Sequence, residues 1–195
     1  MIKNSLFILI NLISFLGIAQ KGFFVENKGQ WNDKVLFKAN LKYGSFFVEK
    51  DGFTVNLLNP SQVDQLREHN HDETKVQHRS FQIPNDNDND IKTHAFTIKF
   101  IDAKLINSIT KEIENSHSIN YIKGNDPDKW ASNLKPLSDI IFKNIYPSID
   151  LKIYFNTNSI KYDFILHPNA NSSLIKIKYD HLNKVELHEN KIGLH

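Results

Sequence analysis

The sequence contains no cysteine. That absence excludes disulfides, thiolate metal sites, a cysteine nucleophile and the modified cysteine of a bacterial lipoprotein anchor. An excess of one charge is also lacking. The 24 Lys and Arg stand against 22 Asp and Glu, a formal net charge of +2. So even a balance argues against a nucleic-acid partner or an anionic membrane surface. There is no Gly-rich phosphate loop, no dinucleotide fingerprint and no nucleophile elbow, so no cofactor is expected. After the N-terminal leader no apolar run is long enough to span a membrane.

What is present suits packed β structure. The chain has 195 residues, enough for one domain, and 11% aromatics with 14 Phe. Its start reads as an export signal. Lys3 supplies positive charge, Ser5–Phe15 is almost wholly apolar, and Gly17-Ile18-Ala19 places small residues where a signal peptidase reads. Residues 1–19 are therefore expected to be removed, with cleavage after Ala19 or one residue later. A membrane anchor would need a longer run. The mature chain, 20–195, is expected to be secreted.

The clearest structural signal is a β-hairpin, Asp150–Phe155 and Ile160–Leu166 around Asn156-Thr157-Asn158-Ser159. Leu151, Ile153 and Phe155 share one face, as do Ile160, Tyr162, Phe164 and Leu166. Pairing Phe155 with Ile160 sets Ile153 opposite Tyr162 and Leu151 opposite Phe164. It also sets Tyr154 opposite Lys161 and Lys152 opposite Asp163, an expected cross-strand ion pair. A one-residue slip would split the apolar faces, so this register is well specified.

A second hairpin is expected over Ser45–Lys50 and Phe53–Leu58, with Asp51-Gly52 as a type I′ turn. Pairing Lys50 with Phe53 puts Val48 opposite Val55 and Phe46 opposite Leu57. Phe23–Val25, Lys34–Leu41, His94–Ile101, Ile119–Ile122, Leu137–Ile145, Leu174–Tyr179 and Lys184–Leu187 read as further strands. Asp102–Ser118 fits both periods, and extended structure is favoured. Residues 59–93 read as a flexible insertion, with a helical turn or two over Ser61–His69 capped by Ser61. Asp126 before Pro127 predicts one turn of helix. The fold class is thus an all-β, antiparallel, sandwich-like domain. Ile192-Gly193-Leu194 begins a further strand, so the chain is read as the front piece of something longer or as a truncated product.

The chemical motifs each have a plainer explanation. Asp86, Asp88 and Asp90 have the spacing that opens a calcium loop. The sixth and twelfth positions, Ile91 and Thr97, lack the Gly and Glu of an EF-hand, so a solvated linker fits better. His69, His71 and His78, with Asp72 and Glu73, could hold zinc only if metal ordered the insertion. A glycosidase needs two acids facing one cleft. Asp150, Asp163, Glu26 and Glu49 are available, but no spacing selects a pair. Trp31 and Trp130 could stack on sugars or plug an edge of the sandwich.

Three ordered motifs carry a resemblance. They are Phe24-Val25-Glu26-Asn27-Lys28-Gly29-Gln30-Trp31; Ile119-Asn120-Tyr121-Ile122-Lys123-Gly124-Asn125-Asp126-Pro127-Asp128-Lys129-Trp130; and Tyr146-Pro147-Ser148-Ile149-Asp150-Leu151 with Lys161-Tyr162-Asp163-Phe164 and Pro168-Asn169-Ala170. In this order the chain from Phe23 onward resembles an N-terminal domain of unknown function in large secreted proteins of Bacteroidetes-type bacteria. The resemblance implies downstream SBBP (β-propeller-type) repeats, PKD-like modules and a gliding-motility or type IX sorting domain; none follows within the 195 residues. That family usually has Gly where Ser148 and Asn169 stand, a departure touching turn geometry. The resemblance supplies no catalytic residues.

The expectation is a non-catalytic structural or interaction module of a cell-surface or extracellular adhesin-like protein. Its partners would be downstream repeat domains, a surface protein or a glycan. Trp31, Gly29, Asp51, Gly52, Gly124, Asp126, Pro127, Trp130, Lys152 and Asp163 are expected to be structural, as are the turn residues Asn27 and Asn125. The alternatives are a carbohydrate-binding or carbohydrate-cleaving domain, and a calcium- or zinc-dependent one.

Overall fold

The computed structural model describes residues 22–64, 92–104, 109–113, 117–156, 159–182, 184–188 and 191–194. The leader, most of the 59–93 insertion with Asp86, Asp88, Asp90, His69 and His71, and the hairpin tip Thr157-Asn158 lie outside the described residues.

The domain is all-β and antiparallel. Its main sheet contains β1 (Phe24–Glu26), β2 (Val35–Leu41), β3 (Gly44–Glu49), β4 (Gly52–Leu58), β5 (Thr93–Phe100), β6 (Ile109–Ile113), β9 (Leu137–Tyr146), β10 (Ile149–Asn156), β11 (Ser159–Leu166) and β12 (Ile177–Asp180). Two separate hairpins are β7 (Ile119–Tyr121) with β8 (Ala131–Leu134), and β13 (Val185–His188) with β14 (Lys191–Leu194). The spatial order is β11-β10-β9-β1-β2-β3-β4-β5-β12, with β6 on β9.

The long strand β9 joins the two halves of this sheet. Its first residue, Leu137, pairs with Phe24 of β1, and Asp139 to Tyr146 pair with β10. The sheet curls there, so that the apolar faces meet as in a sandwich. Phe37 meets Phe142 with ring centroids 6.4 Å apart, and Phe24 meets Phe155 at 5.0 Å. Phe53 is a hub, touching Phe46, Phe100 and Tyr162 at 5.0, 5.0 and 5.5 Å. Alternation along β2 and β10 buries every second residue into this core.

The β10–β11 hairpin has the expected register, from Leu151↔Phe164 through Phe155↔Ile160. The β3–β4 hairpin does not. Glu49 pairs with Gly52, Val48 with Phe53 and Phe46 with Val55, a shift of two residues from the expected pairing. The turn residues are therefore Lys50 and Asp51. Gly52 is the first residue of β4, where a Cβ would lie 2.0 Å from the Ile98 carbonyl oxygen. The glycine is spent on close approach to β5, not on the turn. A two-residue shift keeps every side chain on its face, so the buried set is unchanged.

Other differences are local. Residues 60–64 form a helical turn that starts at Pro60, not after Ser61. Asn59 is its cap, accepting from the Gln62 amide at 3.3 Å through its side chain. The last main-sheet strand begins at Ile177, because Asn171 caps a 3-10 turn over Ser172–Leu174. Strand β8 had no signal of alternation. Its buried residues, Ala131 and Leu134, are three apart, since an irregular register sets three steps of β8 against two of β7. The strand expected within Asp102–Ser118 is β6, and Ile192–Leu194 does form a strand.

Candidate functional site

The first motif folds into a loop wired by its own side chains. Asn27 Oδ1 accepts from the amides of Gly29 and Trp31, both at 3.1 Å, and Asn27 Nδ2 donates to the Val35 carbonyl at 2.8 Å. Gln30 is buried. Its amide donates to the Glu26 carbonyl at 2.7 Å and its oxygen accepts from the Lys28 amide at 2.6 Å. A buried carboxamide with donor and acceptor both used is a rigid strut. The loop thereby fixes Trp31 on the outer face of β1–β2.

The second motif forms β7 and the turn after it. The Asp126 side chain accepts from the Asp128 amide at 3.1 Å, Pro127 opens the 3-10 turn Pro127–Lys129, and Trp130 closes it. The Trp130 indole donates to the Gly124 carbonyl at 3.2 Å, and the residue is 41% exposed. Trp130 thus braces its own turn.

These two motifs meet. The Trp31 indole nitrogen donates to the Tyr121 hydroxyl at 3.3 Å, and the rings pack edge to face with centroids 5.2 Å apart. Gly29 faces the Asp128 carbonyl, which a Cβ would approach to 3.6 Å. Between them opens a hollow of about 490 Å3 whose walls include Trp31, Tyr121, Phe23, Lys38, Asn40 and Lys123. Lys38 Nζ lies 5.5 Å from the Trp31 ring centroid and 5.4 Å from that of Phe47, a cation held against two aromatic faces. Among the described residues no carboxylate lines this hollow. Glu26 and Asp33 instead border a second one of about 370 Å3, where Glu26 is ion-paired with Lys111.

The third motif builds a buried carboxylate clasp. Asp150 is only 2% exposed. It accepts from Lys143 Nζ at 2.8 Å and the Asn144 amide at 2.8 Å, and lies 2.9 Å from His167 Nε2. Burial, the largest single influence, pushes its carboxyl up. Lys143, Asn144 and His167 together outweigh that and bring it down to about 2. Asp150 is thereby committed to joining β9, β10 and the residue after β11.

The expected Lys152–Asp163 ion pair is corrected. The two residues are cross-strand partners, but Lys152 Nζ turns to Asp139 on β9, at 2.6 Å. Lys152 is a middle-strand residue with a neighbour on each side, and hydrogen bonding to Asp139 holds its ammonium above the usual range. Asp163 is bonded by the Tyr154 hydroxyl, which raises that phenol. Asp51, placed in the turn, pairs with Lys99 at 3.1 Å.

Among the described residues no group of three His, Asp or Glu could hold a metal; the metal candidates Asp86, Asp88, Asp90, His69 and His71 are outside them. The sequence reading missed Lys38, Lys123 and Gln30. Lys38 occupies the outward position of an alternating strand, where lysine carries no signal, and Gln30 has no pattern that marks it as buried.

Residues 24–195 match the family model of a domain of unknown function, DUF7948. No curated protein and no solved structure matches the chain. With nearly all of its length matched, the chain belongs to this family of domains of unknown function.

Proposed function

We propose that this protein is a secreted, non-catalytic interaction module, the N-terminal domain of a larger cell-surface or extracellular adhesin-like protein. The observation that carries the reading is the convergence of the first two motifs on one aromatic, lysine-walled hollow, with no carboxylate among its described lining residues. The leader supports export. The motif resemblance supports a setting in Bacteroidetes-type bacteria, with SBBP repeats, PKD-like modules and a sorting domain downstream. A cleaving enzyme would instead need paired carboxylates at one cleft. Of the acids considered for that role, Asp150 is enclosed by three partners and Glu26 is ion-paired.

The test is export with processing. Cells producing the chain with a C-terminal epitope should release it, or display it, with an N-terminus at Gln20 or Lys21. Retention in the cytoplasm with the leader intact contradicts the reading. A metal-dependent role predicts a melting temperature that falls with chelator; an unchanged one removes that alternative.

A further inference from the structure

We propose that the hollow between β1–β2 and the β7–β8 hairpin binds an acidic saccharide, a pyranose chain bearing carboxylate or sulfate groups; this rests on reading the domain as an interaction module. Its walls offer three chemistries that such a ligand uses together. Trp31, Tyr121 and Phe23 supply aromatic surface for the C–H face of a pyranose. The indole N–H is spent on the Tyr121 oxygen, which leaves the phenol proton to donate to the ligand. The exposed amide of Asn40 adds a donor and an acceptor for ring hydroxyls.

The charge of the hollow selects the ligand's sign. Lys38 and Lys123 stand in the walls, and no acid accompanies them among the described residues. Lys38 is seated against Trp31 and Phe47 at 5.5 and 5.4 Å, so its ammonium is partly immobilised before a ligand arrives, which lowers the entropy cost of binding. Lys123 is exposed. Two cations beside an aromatic platform suit one or two acidic groups on a sugar. They are too few for a nucleic-acid backbone, and the whole chain adds only a charge of +2. Among the described residues the walls carry no carboxylate pair of the kind that cleaves a glycosidic bond, which favours holding the saccharide over cleaving it.

Affinity electrophoresis of the purified protein tests this, in gels containing alginate, dextran sulfate, neutral dextran or polyglutamate. The expected result is retardation by alginate or by dextran sulfate, and which of the two retards identifies the acidic group. Retardation should weaken in high salt, and neutral dextran and polyglutamate should have no effect. Trp31→Ala and Lys123→Gln should each weaken binding about tenfold. Lys123→Gln changes only an exposed side chain and should keep the parent melting temperature, so it remains informative if Trp31→Ala fails to fold. Equal retardation by neutral dextran or by polyglutamate overturns the proposal. So does no retardation by either acidic polysaccharide, or full affinity in Lys123→Gln. A protein that is exported but binds neither polysaccharide loses this inference alone; one retained in the cytoplasm loses the module reading whatever it binds.

Discussion

The Trp31 indole donates to the Tyr121 hydroxyl across 90 residues of sequence. This bond and the edge-to-face packing around it join the β7–β8 hairpin to the outer face of β1–β2. Tyr121→Phe keeps the ring and removes the acceptor. It should cost about 1 kcal/mol in denaturant unfolding, the worth of one half-buried hydrogen bond. It should also shift Trp31 emission. An unchanged midpoint and spectrum would mean that the two motifs are not coupled.

Asp150 predicts a specific acid sensitivity. Its carboxyl titrates at about 2 in the folded protein, below the 3.8 of an ordinary aspartate. A depressed folded value means that the unfolded chain takes up the proton first. The stabilisation is then fully present above the unfolded value and is lost as pH falls from near 4 through 2. Its size is about 2 kcal/mol. Asp150→Asn should remove this part of the pH dependence and lower stability at neutral pH by about 2 kcal/mol, because the charge-assisted bonds to Lys143 and His167 are lost while both partners stay solvated. Parallel pH–stability curves for the two proteins would contradict the clasp.

Ser148 and Asn169 both have left-handed backbone, with φ of 58° and 67°. Neither residue is glycine, so each carries a Cβ where the backbone strains it. Ser148→Gly should raise stability by about 0.5–1 kcal/mol, the relief of left-handed strain less the added freedom of the unfolded chain. Asn169→Gly should gain less, since asparagine tolerates that conformation. Thermal unfolding of the two variants side by side gives the ordering.

Gly52 and Gly124 predict opposite tolerance to alanine. A Cβ on Gly52 would strike the Ile98 carbonyl at 2.0 Å, whereas one on Gly124 would meet nothing within 4 Å. Gly52→Ala should cost about 3 kcal/mol or more by pushing β4 from β5. Gly124→Ala should cost about 1 kcal/mol, the strain of its φ of 74° alone. Equal unfolding midpoints would mean that Gly52 is an ordinary turn residue after all.

The β10–β11 register was legible because both strands alternate cleanly and one slip would expose a whole apolar face. The β3–β4 register misled because Asp51-Gly52 carries a strong turn signal, while the demand on Gly52 comes from Ile98, a residue beyond the insertion. The choice of Lys152 for Asp139 over Asp163 was hidden for a similar reason: a hairpin shows one neighbour of a strand, and the sheet supplies the other. The candidate site was half legible. Its motifs stood out as words, but their meeting at Trp31 and Tyr121 is a tertiary contact without local periodicity. Lys38 and Lys123 became visible only as the walls of the hollow between them.

The most direct measurement uses the fact that the chain has two tryptophans. In Trp130→Phe the only indole left is Trp31, in the wall of the hollow. Titrating this variant with alginate or sulfated oligosaccharide should change Trp31 emission saturably, protect it from quenching by iodide, and lose the effect in Lys123→Gln. Emission that stays constant through the titration, or that responds equally to a neutral oligosaccharide, would contradict the account.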